Sequence, residues 1–348
     1  MEAAGDHQRE PRPQLRQLRA GGCPLRDAPL QPGRRPRRGA QPGRAAPGSS
    51  GHAHRASPRL AGQPDDGGAG LKRGVRFALI ASLVLACGVA VQQSASKDGG
   101  FLSLDELLLF FPSKHPDGYW EPENLDYEDV WLQLEDGTSI HAWYCPHPQP
   151  IATVLFLHGN AGNLSHRAPV LRRLQNEVGV STMIVDYPGY GRSEGKPSVA
   201  NALEAARRAR TRLAELAGVA EAEVVLLGRS LGGAFAVALA AEAPARALVL
   251  ESTFSSMQAV ADLHYPALSW MVPEGKLDSA ASMAQVQAPL LQSHGDADEV
   301  IPIELGRALF EAAPDPKQFL THLRARHNDP MPPSYDQELR QFLAALPQ

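Results

Sequence analysis

Two serines in this sequence stand inside the pattern Gly-x-Ser-x-Gly: Ser193, between Gly191 and Gly195, and Ser230, between Gly228 and Gly232. A serine hydroxyl attacks an acyl carbon only when a general base removes its proton and hydrogen-bond donors receive the charge that builds on the carbonyl oxygen. The pattern matters because it describes a sharp strand-to-helix turn that holds the hydroxyl out at its tip. In a chain with 31 glycines it occurs by chance, so the flanks must decide.

The flanks separate the two serines. Ser193 follows "VDYPGYG" and precedes "EGKPSVA", a polar stretch with Pro197 that reads as loop. Ser230 stands directly between the aliphatic run "EVVLLG" and the small, apolar run "LGGAFAVALAA", a strand, a turn and a helix. A side chain at Gly228 or Gly232 is expected to strike the neighbouring strand and helix, and Gly233 and Ala234 are expected to let that helix lie close to the sheet. Backbone N–H groups at its N-terminus would then face a developing oxyanion. Ser230 is the expected nucleophile, with Leu231 N–H as one oxyanion donor.

The elements that must position such a site alternate along residues 100–348. "DVWLQLEDGTSIHAWYCPH" reads as two strands joined through Asp136-Gly137. Short buried-strand runs follow at Ala152–Gly159, Ala247–Ser252, Pro289–Gly295 and Lys317–Leu323, besides those before the two serines. Helical patterns lie between and after them, at His166–Val178, Val199–Leu216, Ile303–Ala313 and Pro333–Leu346. This alternation predicts an α/β protein with a mostly parallel central sheet and helices on both faces. In such sheets chemistry gathers in the loops at the C-terminal ends of the strands.

Eight ordered blocks between about residues 105 and 346 carry a family resemblance. They are "FFPSKHPDGYWEP", "DGTSIHAWYCP", "LHGNAGN", "DYPGYGRSEG", "GRSLGG", "ESTFSS", "HGDADEVIP" and "HND". The chain resembles the α/β-hydrolases, in particular the membrane-associated serine hydrolases and serine aminopeptidase-like proteins. The resemblance implies that the block holding Ser193 is structural. It also implies the order nucleophile, acid, histidine, each on a loop after a strand. The family pattern HG-x-x-D puts the acid at Asp298, with Asp296 and Glu251 as alternatives. His327, before the last helix, suits the base better than His322 or His294. Relatives commonly carry a small residue before this histidine; here Arg326 stands there, where it is expected to lower the imidazole's proton affinity or obstruct access. The second oxyanion donor is expected to be Asn160 N–H, in the glycine loop "HGNAGN".

An insertion at about residues 254–288 is expected to form a small cap, with Leu263, Tyr265, Leu268, Trp270 and Met271 lining an acyl pocket, facing a membrane or packing the cap down. Together these features predict a serine hydrolase that cleaves an ester or thioester of a lipid-like or other hydrophobic acid. A peptidase of the same fold and a non-catalytic binding protein are the alternatives. No metal or organic cofactor is implied, and the glycine loop lacks either phosphate-cradling spacing.

Composition divides the chain. Residues 1–76 carry 15 Lys/Arg against 6 Asp/Glu, whereas the remainder carries 19 against 32. An acidic folded part argues against nucleic-acid partners. Residues 1–70 hold 10 prolines and 12 glycines without apolar periodicity and are expected to be a disordered arm, if they are translated at all. Lys72, Arg73 and Arg76 precede a mostly apolar run of 15 residues, Phe77–Val91. Residues 71–97 are therefore expected to form a signal peptide, a lipoprotein signal ending at "VLAC", or a membrane anchor, with a buried core helix as the bland reading. Residues 98–348 then form the hydrolase domain, exported or held at a membrane, on the periplasmic side of a bacterial envelope. The folded part has a single cysteine, Cys145, which leaves no disulfide framework or cysteine-based zinc site there.

Overall fold

The computed structural model describes residues 109–273 and 275–347. The expectations for residues 1–70 and 71–97 lie outside the described residues. Among the described residues no helix is long and apolar enough to cross a membrane.

Eight strands form one sheet: β1 (Glu128–Gln133), β2 (Ser139–Cys145), β3 (Thr153–Leu157), β4 (Ser181–Val185), β5 (Val224–Arg229), β6 (Ala247–Glu251), β7 (Leu290–Gly295) and β8 (Lys317–His322). Their spatial order is 1-2-4-3-5-6-7-8. β2 runs antiparallel to both β1 and β4, and every other neighbouring pair is parallel. The β1–β2 hairpin turns at Asp136-Gly137, where Gly137 adopts φ +85° and the Asp136 carboxylate accepts the Thr138 N–H at 2.8 Å.

The inner strands are aliphatic throughout because both faces are covered. In β3, Leu155 and Leu157 enter one apolar core while Val154 and Phe156 enter the other. β5 and β6 divide in the same way, with Leu226 and Leu248 on one face and Val225 and Val249 on the opposite face. This two-residue alternation places a core on each side of the sheet. Helices α1 (Ala168–Arg173) and α7 (Pro333–Ala344) cover one face; α2 (Val199–Ala217), α3 (Leu231–Glu242) and α6 (Ile303–Ala312) cover the other. The cap contributes α4 (Met257–His264) and the short α5 (Ser279–Met283).

α3 is unusual in burying nearly its whole circumference, from Leu231 through Ala240. Its small residues allow that. A methyl group at Gly233 would overlap the Thr253 side chain, and one at Gly232 would overlap the Leu157 backbone. The helix that follows Ser230 is thereby drawn against the ends of β3 and β6.

Candidate active site

Ser230 occupies the turn between β5 and α3 with φ +54° and ψ −123°, a left-handed setting that a residue with a β-carbon adopts only under constraint. The constraint is a set of main-chain ties. Ser230 N–H donates to the Glu251 carbonyl at 2.9 Å, and its own carbonyl accepts from Gly233 N–H at 2.9 Å and Thr253 Oγ1 at 2.8 Å. A methyl group at Gly228 would collide with the backbone of Gly232 and Gly233, so this turn closes only around glycine.

The structure brings three of the expected residues into one row. His327 Nε2 lies 3.2 Å from Ser230 Oγ, and His327 Nδ1 lies 2.8 Å from Asp298 Oδ2. A carboxylate only accepts, so this contact puts the imidazole proton on Nδ1 and leaves Nε2 to accept the serine hydroxyl. Each of the three residues is at most 8 % exposed.

Asp298 is held from both sides. Oδ1 accepts the N–H groups of Val300 at 2.9 Å and Ile301 at 2.8 Å. Oδ2 meets His294 Nε2 at 3.3 Å as well as His327. Burial by itself would raise the carboxyl pKa, but hydrogen bonds from His294, His327 and Ile301 outweigh it and hold the group well below the usual carboxylate range. Asp298 therefore stays ionised beside the imidazole. Neither alternative acid reaches His327. The Asp296 carboxylate accepts the Arg324 N–H, and Glu251 is buried beside Arg229, at 4.0 Å.

Leu231 is the first residue of α3, so its N–H has no partner within the helix. Asn160 and Leu231 line the same cavity as Ser230, and a methyl group at Gly159 would stand 3.4 Å from Ser230 Cβ, which sets the glycine loop beside that serine. The Asn160 carbonyl is fixed by Phe111 N–H at 3.0 Å and by Tyr190 Oη at 2.5 Å.

That cavity, about 280 Å³, opens over Ser230. The cap supplies much of its wall, including Met257, Val260, Tyr265, Leu268 and Met271. The apolar cap residues thus divide: Tyr265, Leu268 and Met271 line the pocket, while Leu263 and Trp270 are exposed, Trp270 by 75 %. His264 Nε2 lies 2.7 Å from the Val300 carbonyl and joins the cap to the acid loop. Leu109, just before the first family block, and Phe111, at its start, complete the wall.

Ser193 has another environment. Its hydroxyl accepts His141 N–H at 2.9 Å and donates to the Asp186 carbonyl at 2.8 Å. Arg326 is exposed and does not line the pocket. The arginine that does touch His327 is Arg229, whose Nη2 donates to the His327 carbonyl at 2.5 Å. Sequence reasoning missed this contact, the His294–Asp298 contact and the pocket wall at residues 109–111. His294 alone carried a signal, four residues before Asp298. Among the described residues no cluster of three or more His, Cys, Asp or Glu side chains suits a metal ion.

Comparison with known proteins gives the same frame. A family model described as "Alpha/beta hydrolase family" matches residues 154–347. An uncharacterised protein of Mycobacterium tuberculosis is 35% identical over 229 residues, 64% of this chain and 80% of its own length. Protein bem46 of Schizosaccharomyces pombe is 30% identical over 262 residues, 70% of this chain and 88% of its own. Among solved structures, the Pyrococcus furiosus esterase Pf2001 superposes with a TM-score of 0.55 at 19% identity, covering 68% of this chain and 99% of that one.

Proposed function

The chain belongs to the α/β-hydrolase family, and from that premise we propose that it is a serine hydrolase acting on carboxylic esters or thioesters of hydrophobic acids. The observation that carries this reading is the row Ser230–His327–Asp298 at the base of an apolar pocket. In the proposed reaction His327 Nε2 takes the hydroxyl proton as Ser230 Oγ attacks the acyl carbon. The N–H groups of Leu231 and Asn160 receive the oxyanion, and Asp298 orients the imidazole and balances its charge. His327 then protonates the leaving group, and water releases the acid from the acyl-enzyme by the same steps in reverse.

The lining favours an apolar acyl group over a peptide N-terminus. An aminopeptidase must neutralise an α-ammonium, and among the described residues the pocket lining holds no carboxylate. The membrane or envelope address belongs to the same proposal and is supported by the basic residues before the run Phe77–Val91.

The deciding experiment is fluorophosphonate labelling, followed by hydrolysis of nitrophenyl esters of graded acyl length and of aminoacyl amides. Labelling of Ser230 and preference for longer acyl esters are expected. A folded protein that neither labels nor hydrolyses belongs to the non-catalytic binding class, and faster cleavage of aminoacyl amides makes it a peptidase.

A further inference from the structure

The proposed reaction leaves Arg229 without a role, although it precedes the nucleophile by one residue. Its guanidinium crosses the C-terminal edge of the sheet. Nη2 donates to the His327 carbonyl at 2.5 Å, and Nη1 lies 4.0 Å from Oε2 of Glu251. Glu251 is the register partner of Arg229 on β6 and is 1 % exposed, and its two carboxylate oxygens are sealed from water, facing the Arg229 guanidinium and the buried Tyr335 hydroxyl. A carboxylate so placed needs a counter-charge, because an isolated buried ion is strongly disfavoured. Glu251 also accepts the Ser230 N–H through its own carbonyl. Two adjacent strand ends thus hold the nucleophile's backbone and, through one guanidinium, the backbone of the base.

The other ties of the base-bearing loop go elsewhere. Asp329 accepts the Arg326 N–H at 2.9 Å within the loop, Asp296 accepts the Arg324 N–H, and the Ala325 carbonyl accepts the Ala297 N–H at 3.2 Å. These three contacts run within the loop or to the acid loop, and none reaches the strand that carries Ser230. Arg229 makes that link. Arginine suits it because a planar fork can donate to a carbonyl with one nitrogen while another faces a carboxylate, which a single ammonium does poorly.

We propose that Arg229, counter-charged by the buried Glu251, is a positioning residue that ties the His327 main chain to the nucleophile strand and so sets the gap between imidazole and serine. The proposal rests on the serine-hydrolase reading. A gap error of about 1 Å is enough to cost on the order of 100-fold in rate.

The test compares full-length wild type, Arg229→Met, Arg229→Lys and Glu251→Gln by ester hydrolysis, hydrogen exchange of the peptide spanning residues 323–332, and thermal melting. Arg229→Met is expected to lower kcat by about 30- to 100-fold with KM within about twofold, as for lost alignment rather than lost binding. Exchange should rise in the 323–332 peptide and stay unchanged in β3 and β4. Arg229→Lys, keeping the charge and one donor, should recover part of the loss, to within about tenfold of wild type. Glu251→Gln should cost less than Arg229→Met. An Arg229→Met protein with wild-type kcat and unchanged loop exchange overturns the proposal. So does a kcat loss that tracks global melting without local exchange, since that marks a folding role. A wild type that neither hydrolyses esters nor takes the phosphonate probe sinks the hydrolase reading and this role with it, whereas an active wild type beside an equally active Arg229→Met sinks the role alone.

Discussion

Ser193 and Ser230 share the pattern Gly-x-Ser-x-Gly and near-complete burial, at 2 % and 8 % exposure, yet their hydroxyls meet opposite surroundings. The Ser193 hydroxyl is used twice by the backbone, once as acceptor and once as donor, and pins the start of β2 to the end of β4. The Ser230 hydroxyl makes neither bond. Its main chain is clamped in a left-handed conformation, and its oxygen is left to an imidazole and an apolar pocket. The pentapeptide therefore describes a turn, and the two hydroxyls differ in what each is denied. A hydroxyl satisfied by two peptide groups is a staple; one whose acceptor is an oriented base is poised to lose its proton.

The comparison breaks most sharply at the serines themselves. Ser230→Ala is expected to lower kcat by on the order of 10⁶-fold, while Ser193→Ala stays within about threefold of wild type, measured as initial rates on one nitrophenyl ester. Comparable losses in both variants would erase the distinction. Next in size is Asp298→Asn, which should cost about 10³- to 10⁴-fold in kcat because an amide can turn its N–H to the imidazole and favour the wrong tautomer. Retained activity there would return Glu251 or Asp296 to contention.

Stability should reverse the ranking of the serines. Ser193→Ala strands a buried N–H and a buried carbonyl and should destabilise by about 1–3 kcal/mol in urea unfolding. Ser230→Ala removes no bond that the backbone needs, so its midpoint should match or exceed wild type. A Ser193→Ala protein of wild-type stability would end the staple account.

The smallest effect concerns acid. The native Asp298 pKa is depressed, so its contribution is complete above the unfolded carboxyl pKa of about 3.9 and is lost as pH falls further. Melting temperatures of wild type should drop more steeply below about pH 4 than those of Asp298→Asn. Parallel curves would mean that the hydrogen bonds to Asp298 do not favour its charged form.

Much of this was legible residue by residue. The strands at Thr153–Leu157 and Val224–Arg229 and the helix Leu231–Glu242 match, to within two residues at either end, the segments read from their aliphatic runs and glycines. The hairpin turned where Asp136-Gly137 stood, because that dipeptide tolerates positive φ. The cap was less legible. Its apolar residues follow no single period, and only packing decided that Leu268 faces the pocket while Leu263 faces solvent. Arg326 drew attention by adjacency in the chain, but the arginine that reaches His327 lies 98 residues away.

The sequence by itself determined the α/β alternation and the strand–glycine–helix turn at Ser230, because these follow from short-range sterics and from which residues can be buried; the order of the three polar residues came from its resemblance to the α/β-hydrolases. Only the tertiary structure decided that His327 stands 3.2 Å from a serine 97 positions earlier, and which of three carboxylates accepts the hydrogen bond from its Nδ1–H. The Arg229 bridge and the two satisfied bonds of Ser193 belong with these. Such contacts join loops on different strands, and their distances are set by sheet register and loop closure together, which no local run of residues encodes.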